Sequence, residues 1–377
     1  MQAIVTLAAF LLALGVLVSF HEFGHFLAAR FCGVRVLRFA IGFGKPLFTY
    51  RAQNKTEWVL ATIPLGGYVK LLDRRNSKEV VEPVEALQAF DGKPLWQRSF
   101  IVAAGPLANF LLAIIFFAFI YVTGAPQLPA VIKAPPENSV AAKIGLNQGD
   151  KVVGWRYLDA KEDNMPLFGE FEPVPSWNSL RWSLMDAITG ESGFALDVQN
   201  PAGVSSVKTF YAKDLPKISP ESDPILALGI LPMLSPLGQW DELKLGPLDA
   251  LAFASKRVWV ITKVSTRLML GLFTGNTSIK QLGGPLSIAD MAGKTARVGW
   301  QPYLAFLAMM SISVGLLNLL PFPMLDGGQL LYDAWELVAG KPITTSMQEQ
   351  LQKVGFILLI SLSLLALFND LQRYISP

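Results

Sequence analysis

The chain of 377 residues is 52% hydrophobic and only 16% charged, with a mean hydropathy of +0.40, a balance that excludes an ordinary soluble enzyme and points to a membrane protein. A net charge of +3, spread along the chain, leaves no basic patch for nucleic acid. The single cysteine, Cys32, excludes an intrachain disulfide framework.

The first element is an uncharged run from Ala3 to Phe20 that leads into His21-Glu22-Phe23-Gly24-His25. These two histidines are the only ones in the chain, and at i and i+4 of a helix they project from one face. HExxH on a helix offers two zinc ligands and a neighbouring carboxylate that activates water. Its place in an apolar run sets that chemistry at or within a lipid bilayer. Met1-Gln2 offers no basic signal-peptide region, and cleavage near Ala28-Ala29 would discard the motif. A retained transmembrane helix from about Ala3 to Ala29 is therefore expected.

The loop that follows is rich in basic residues, among them Arg35, Arg38, Arg51, Lys70, Arg74 and Arg98, which places it in the cytoplasm. Within it, Ile41-Gly42-Phe43-Gly44 and the stretch from Trp58 to Lys70 alternate with glycine-rich turns. They predict a hairpin so apolar that it dips into the membrane, against the ordinary alternative of a cytoplasmic surface hairpin. A second span runs from Phe100 to Val122 without a charge. Asn109 within it reads as an amide that packs helix against helix.

The segment from about Pro129 to Pro232 leans acidic and should lie outside the cytoplasm. It reads as a short strand at Ala130-Val131-Ile132, a small helix and Gly-Asp turn near Val140 to Asp150, a strand beyond Lys151, a helix from Trp177 to Ile188, and a hairpin from Phe194 to Tyr211 turning at Asn200-Pro201-Ala202-Gly203. This pattern resembles a bacterial PDZ domain, whose groove adds a peptide strand to a sheet edge; a spacer without a ligand is the plainer alternative. Tyr157 to Pro175 is longer than that connection requires. From Val258 to Phe273, Lys263 and Arg267 fall at i and i+4, which fits an amphipathic helix on the membrane surface.

A third uncharged span covers Pro302 to Leu325, and Val354 to Phe368 makes a shorter fourth. The third ends in Asn318-Leu319-Leu320-Pro321-Phe322-Pro323, where two prolines break the helix, followed by Asp326-Gly327-Gly328. Unwound backbone at that depth must line a polar cavity or be buried in protein.

Zinc needs a third protein ligand, and no histidine remains. Cys32 lies roughly 10 Å beyond His25 on a continuous helix and cannot share the ion. A carboxylate is required. Asp326, an ionisable group at membrane depth, is the leading candidate and Glu57 the runner-up; a helix cap and a solvated loop glutamate are their respective ordinary readings.

HEFGH in span one, Gly105-Pro106-Leu107-Ala108-Asn109 in span two and the run from Asn318 to Gly327 in span three together resemble the site-2 protease family of intramembrane zinc metalloproteases, in particular its RseP-type bacterial members. The resemblance implies that His21, His25 and Asp326 hold Zn2+ with a fourth position left for water, that Glu22 is the catalytic base, and that Asn318 binds substrate. Pro321, Pro323, and Gly67 and Tyr68 of the hairpin are expected beside it. It further implies a multi-pass protein of the bacterial inner membrane that cleaves single-span membrane proteins, for example an anti-sigma factor or signal-peptide remnants. RseP-type proteins like the best-known one carry two tandem PDZ domains; this outer segment has room for one.

The expected architecture is an α-helical polytopic membrane protein with about four transmembrane helices, a membrane-associated β-hairpin and one extracytoplasmic, periplasmic PDZ-like α/β domain. Its divisions are helix 1 with HExxH (1–30), the cytoplasmic loop with its hairpin (31–97), helix 2 (98–124), the PDZ-like domain (125–235), an amphipathic helical connector (236–299), helix 3 with the LDG motif (300–326), a cytoplasmic connector (327–350) and helix 4 with the C-terminus (351–377). The alternative is a catalytically silent scaffold that binds transmembrane or signal-peptide clients through its PDZ-like domain. A scaffold has no need of His21, Glu22, His25 and Asp326 together.

Overall fold

A computed structural model describes residues 2–74, 86–158, 170–215, 223–233, 240–275 and 283–375. In chain order these residues form α1 (Gln2–Phe31), β1 (Val36–Arg51), β2 (Glu57–Leu71), α2 (Leu95–Thr123), β3 (Ala125–Gln127), α3 (Val140–Lys143), β4 (Lys151–Tyr157) and β5 (Glu172–Pro173). They continue as α4 (Trp177–Thr189), β6 (Phe194–Gln199), β7 (Ser205–Phe210), α5 (Pro224–Leu228), β8 (Asp241–Leu243), α6 (Pro247–Thr274), α7 (Pro285–Val298), α8 (Trp300–Leu319), α9 (Asp326–Ala339) and α10 (Thr345–Ile375). Among the described residues, four helices are long and apolar enough to cross a membrane: α1, α2, α8 and most of α10. They coincide with the four expected spans. The third stops at Leu319, where the prolines were expected to break it.

The chain divides into two compact units, 1–117 with 282–377, and 118–281. In the first, α1 is apolar all round, as a helix in lipid must be, yet only one stripe is buried. That stripe is Ala9, Ala13, Leu17, His21, Gly24 and Ala28. Small residues let neighbouring backbones approach closely, and Ala9 and Ala13 pack with Ala292 of α7 and Phe306 and Leu307 of α8. Ile4, Leu7, Leu12, Phe20, Phe23 and Leu27 are exposed on the rest of the helix.

The hairpin is longer than the sequence suggested, because β1 and β2 pair antiparallel along most of their length with several register shifts. Ala40 faces both Tyr68 and Val59, so the ribbon folds back and β1 is paired on both edges. Phe43, Leu47, Phe48, Leu60 and Ile63 are exposed on it.

In the second unit, β5, β4, β6 and β7 form a four-stranded sheet in that order with antiparallel pairing. The amphipathic helix α4 seats Leu180, Leu184 and Ile188 in a core with Val152, Trp155, Phe194, Leu196, Val198 and Phe210. The β6–β7 turn falls where expected: Asn200 Oδ1 accepts from the backbone N–H groups of Ala202 (3.0 Å) and Val204 (2.9 Å). The expected strand at Ala130-Val131-Ile132 contributes only isolated bridges, Val131 to Lys151 and Ile132 to Pro232. Most of the Tyr157 to Pro175 connection, residues 159–169, lies outside the described residues.

The basic pair of the amphipathic helix has a partner within the protein. Lys263 (2.9 Å) and Arg267 (2.6 Å) of α6 donate to the carboxylate of Asp186 on α4, which is 3% exposed and also accepts from the Tyr157 hydroxyl. A carboxylate this buried needs such compensation. The spacing of Lys263 and Arg267 gave their common face and not the group opposite it.

Candidate metal centre

The i, i+4 spacing of His21 and His25 places both on the buried side of α1, with Nε2 atoms 3.2 Å apart. Asp326 reaches them from the far end of the chain, its Oδ2 lying 3.1 Å from His21 Nε2 and 3.4 Å from His25 Nε2. Two features deliver it. The chain turns sharply after α8, with the N–H of Phe322 donating to Leu320 O (2.7 Å) and that of Leu325 to Phe322 O (2.9 Å). Asp326 then opens α9, so its carboxylate sits at the positive end of a helix. Gly327 follows because a Cβ there would stand 2.1 Å from Leu320 O.

These three are the group of His, Cys, Asp and Glu side chains able to share an ion among the described residues. Tetrahedral zinc with bonds of about 2.0–2.1 Å holds its ligand atoms roughly 3.3 Å apart, which the three observed separations match. Asp326 Oδ2 is buried and has no hydrogen-bond partner among the described residues. The donor set, two imidazoles and one carboxylate, leaves one tetrahedral corner open, as a catalytic zinc site requires.

The surrounding residues fit the same centre. His25 Nδ1 donates to the Ile101 carbonyl at 2.8 Å. Gly105, one turn further along α2, has no room for a side chain, since a Cβ would stand 2.2 Å from His25 Nε2. Asn109, another turn on, is fully buried and its amide lies 3.3 Å from His21 Nδ1. The amide expected to pack helices thus faces a histidine ring. The signal that could have found it is the spacing: Gly105 and Asn109 repeat the four-residue interval of His25 and His21 on an antiparallel neighbour.

Glu22 shares a turn with both histidines and interacts with the backbone of Val69 in β2. Gly67 is packed against it, for a Cβ there would lie 3.0 Å from Glu22 Cγ and 2.8 Å from Ala40 O. Tyr68 turns away, accepting from Arg38 at 3.3 Å. Asn318 lies in the last turn of α8, half-buried, while Pro321, exposed, and Pro323, half-buried, lie on the break between α8 and α9. Glu57 is elsewhere: it is bound to Arg38 (2.8 Å) and Arg51 (3.4 Å) on the ribbon, and the Arg38 hydrogen bonds hold its carboxyl below the usual range. Cys32 is buried among Phe26, Val34 and Phe39, away from the triad.

The pattern of peptidase family M50 matches residues 9–362. The chain is 35% identical to the regulator of sigma-E protease RseP of Escherichia coli, over 97% of this chain and 98% of that protein. It is 34% identical to a putative zinc metalloprotease of Ralstonia nicotianae, over 98% of each, and 33% identical to protease RseP of Yersinia pestis, over 99% and 100%. The alignment with the Escherichia coli protein runs over 446 positions and takes in 97% of the 377 residues here, about 366, so in roughly 80 positions the relative has residues and this chain has none.

Proposed function

Since the chain belongs to peptidase family M50 and is a zinc metalloendopeptidase of the RseP type, we propose that it hydrolyses peptide bonds within or near the transmembrane segments of single-span membrane proteins. The observation that carries this is the spacing, fit for tetrahedral zinc, of His21 and His25 on the apolar helix α1 and of Asp326 just beyond α8, with Glu22 in the same turn as the histidines.

His21 and His25 through Nε2 and Asp326 through Oδ2 would hold the zinc. When bound, the metal supplies Lewis acidity toward water and toward the scissile carbonyl. Glu22 takes the water's proton and returns it to the leaving amine, so no covalent enzyme intermediate is needed. A substrate helix hides its scissile amide in its own hydrogen bonds, so it must be unwound and held extended. The β2 segment around Gly67 and Tyr68 is the strand on which it pairs, because Gly67 packs against Glu22. Asn318 at the end of α8, with Pro321 and Pro323 on the unwound backbone before Asp326, contacts the extended substrate from the other side.

The chain is an integral membrane protein, and the basic loop after α1 supports an inner-membrane orientation with HExxH toward the cytoplasm and the 125–235 segment in the periplasm. That segment acts as a PDZ-like filter or sensor, supported by its order of helix, strand, helix and hairpin. The length of the segment leaves room for one such domain rather than the two that the resemblance to RseP-type proteins would suggest. Its clients are of the class of anti-sigma factors or signal-peptide remnants.

The test is Glu22→Gln, which should keep stoichiometric zinc and stop cleavage of a transmembrane reporter in detergent or proteoliposomes. Full cleavage by that variant would overturn the mechanism.

A further inference from the structure

His25 has its tautomer set by a group of fixed polarity. A carbonyl oxygen only accepts, so the bond from Nδ1 to Ile101 O puts the ring proton on Nδ1 and leaves the Nε2 lone pair at the triad. His21 must be in the same state to bind through Nε2, and its Nδ1 faces Asn109.

Asn109 Nδ2 stands 3.3 Å from His21 Nδ1, while Asn109 Oδ1 is buried without a hydrogen-bond partner among the described residues. An NH2 group in that place would donate to the ring. The ring proton would then sit on Nε2, the atom 3.1 Å from Asp326, and block its lone pair. The oxygen and nitrogen of an amide are told apart only by the bonds they make, and a half-turn of this amide exchanges them. Oδ1 then accepts from Nδ1–H and the Nε2 lone pair is free.

We propose that Asn109 is a positioning residue whose Oδ1 holds His21 as the Nδ1–H tautomer and so presents Nε2 to zinc. The inference rests on the reading of His21 as a zinc ligand. Two observations beyond the contact support it. The Asn109 backbone carbonyl accepts from Ser311 Oγ of α8 at 2.7 Å, which pins the residue independently of its side chain. Gly105 and Asn109, four residues apart, meet His25 and His21, four residues apart, so one face of α2 serves both rings. A hydrogen-bond acceptor behind a metal-binding histidine fixes its tautomer and ring orientation.

The test compares zinc affinity of the full-length protein, by chelator competition, for Asn109→Leu, which has the shape without the acceptor, and Asn109→Asp, which keeps an acceptor. Asn109→Leu should weaken zinc about 10–100-fold and Asn109→Asp should stay within about threefold of the parent. Parent-like affinity in Asn109→Leu, or equal loss in both variants, would overturn the proposal. A second measurement needs no variant: with only two histidines, 15N-histidine labelling gives four ring-nitrogen signals. The zinc-free parent should show His21 protonated at Nδ1, and a ring protonated at Nε2 alone would refute the assignment. His21→Ala separates the two levels. If it retains zinc, the ligand reading has failed; if it loses zinc while Asn109→Leu does not, only the positioning role has.

Discussion

Gly105→Ala tests how tightly α2 is fitted to the metal centre. A Cβ at this position would lie 2.2 Å from His25 Nε2 and 2.5 Å from Cε1, whereas ordinary carbon contacts begin near 3.5 Å, so more than about 1 Å must be found. His25 cannot supply it by rotating, because its Nδ1 is held at 2.8 Å by the Ile101 carbonyl on the same helix as the new methyl group. Either that bond breaks or α1 and α2 separate, and both move Nε2 off the tetrahedral corner. Catalytic constellations tolerate about 0.5 Å, and a 1 Å misplacement costs on the order of 100-fold, about 2.7 kcal/mol. The expected result is a loss of zinc affinity and of kcat/KM, each by about two orders of magnitude. Chelator competition and cleavage of a transmembrane reporter measure them. Gly15→Ala on α1 is the control, since nothing lies within 4 Å of a Cβ there; it should be neutral or slightly stabilising. A Gly105→Ala enzyme with parental zinc affinity and activity would refute the fit.

Gly67→Ala brings a methyl group to 2.8 Å from Ala40 O and 3.0 Å from Glu22 Cγ, displacing the ribbon and not the triad; cleavage should fall about 10–100-fold with zinc affinity unchanged, and joint loss would argue against a substrate-strand role. Asp186→Ala deprives Tyr157, Lys263 and Arg267 of their common acceptor. The cost should be roughly 3 kcal/mol, the low end for a broken buried pair, because both cations are about one-third exposed and can be rehydrated. Thermal proteolysis of the full chain should then cut the α4 and α6 region at lower temperature, and an unchanged profile would contradict the link.

The candidate site residues were legible because scarcity made them so. Two histidines in one apolar run and a carboxylate, Asp326, just beyond a proline-broken span leave few candidate ligands. The four spans were legible because lipid demands length and uncharged composition, which one-dimensional sequence records directly. What could not be read were pairings across elements. Asn109 meets His21 only through the depth at which α2 lies against α1, and Lys263 meets Asp186 only through the angle of α6 on α4. Neither depends on local spacing. The ribbon was underestimated for a similar reason: alternation and glycines announced a hairpin, but the double pairing of Ala40 depends on register shifts that no local pattern encodes.

Two of the proposed ligands sit within one helical turn near the start of the chain and the third is at residue 326. Protein synthesis at about 5–20 residues per second separates them by roughly 15–60 s. During that interval the nascent chain carries HExxH without the proposed carboxylate ligand. On the proposed ligand set, the centre is therefore complete only after α8 and the turn beyond it have reached α1.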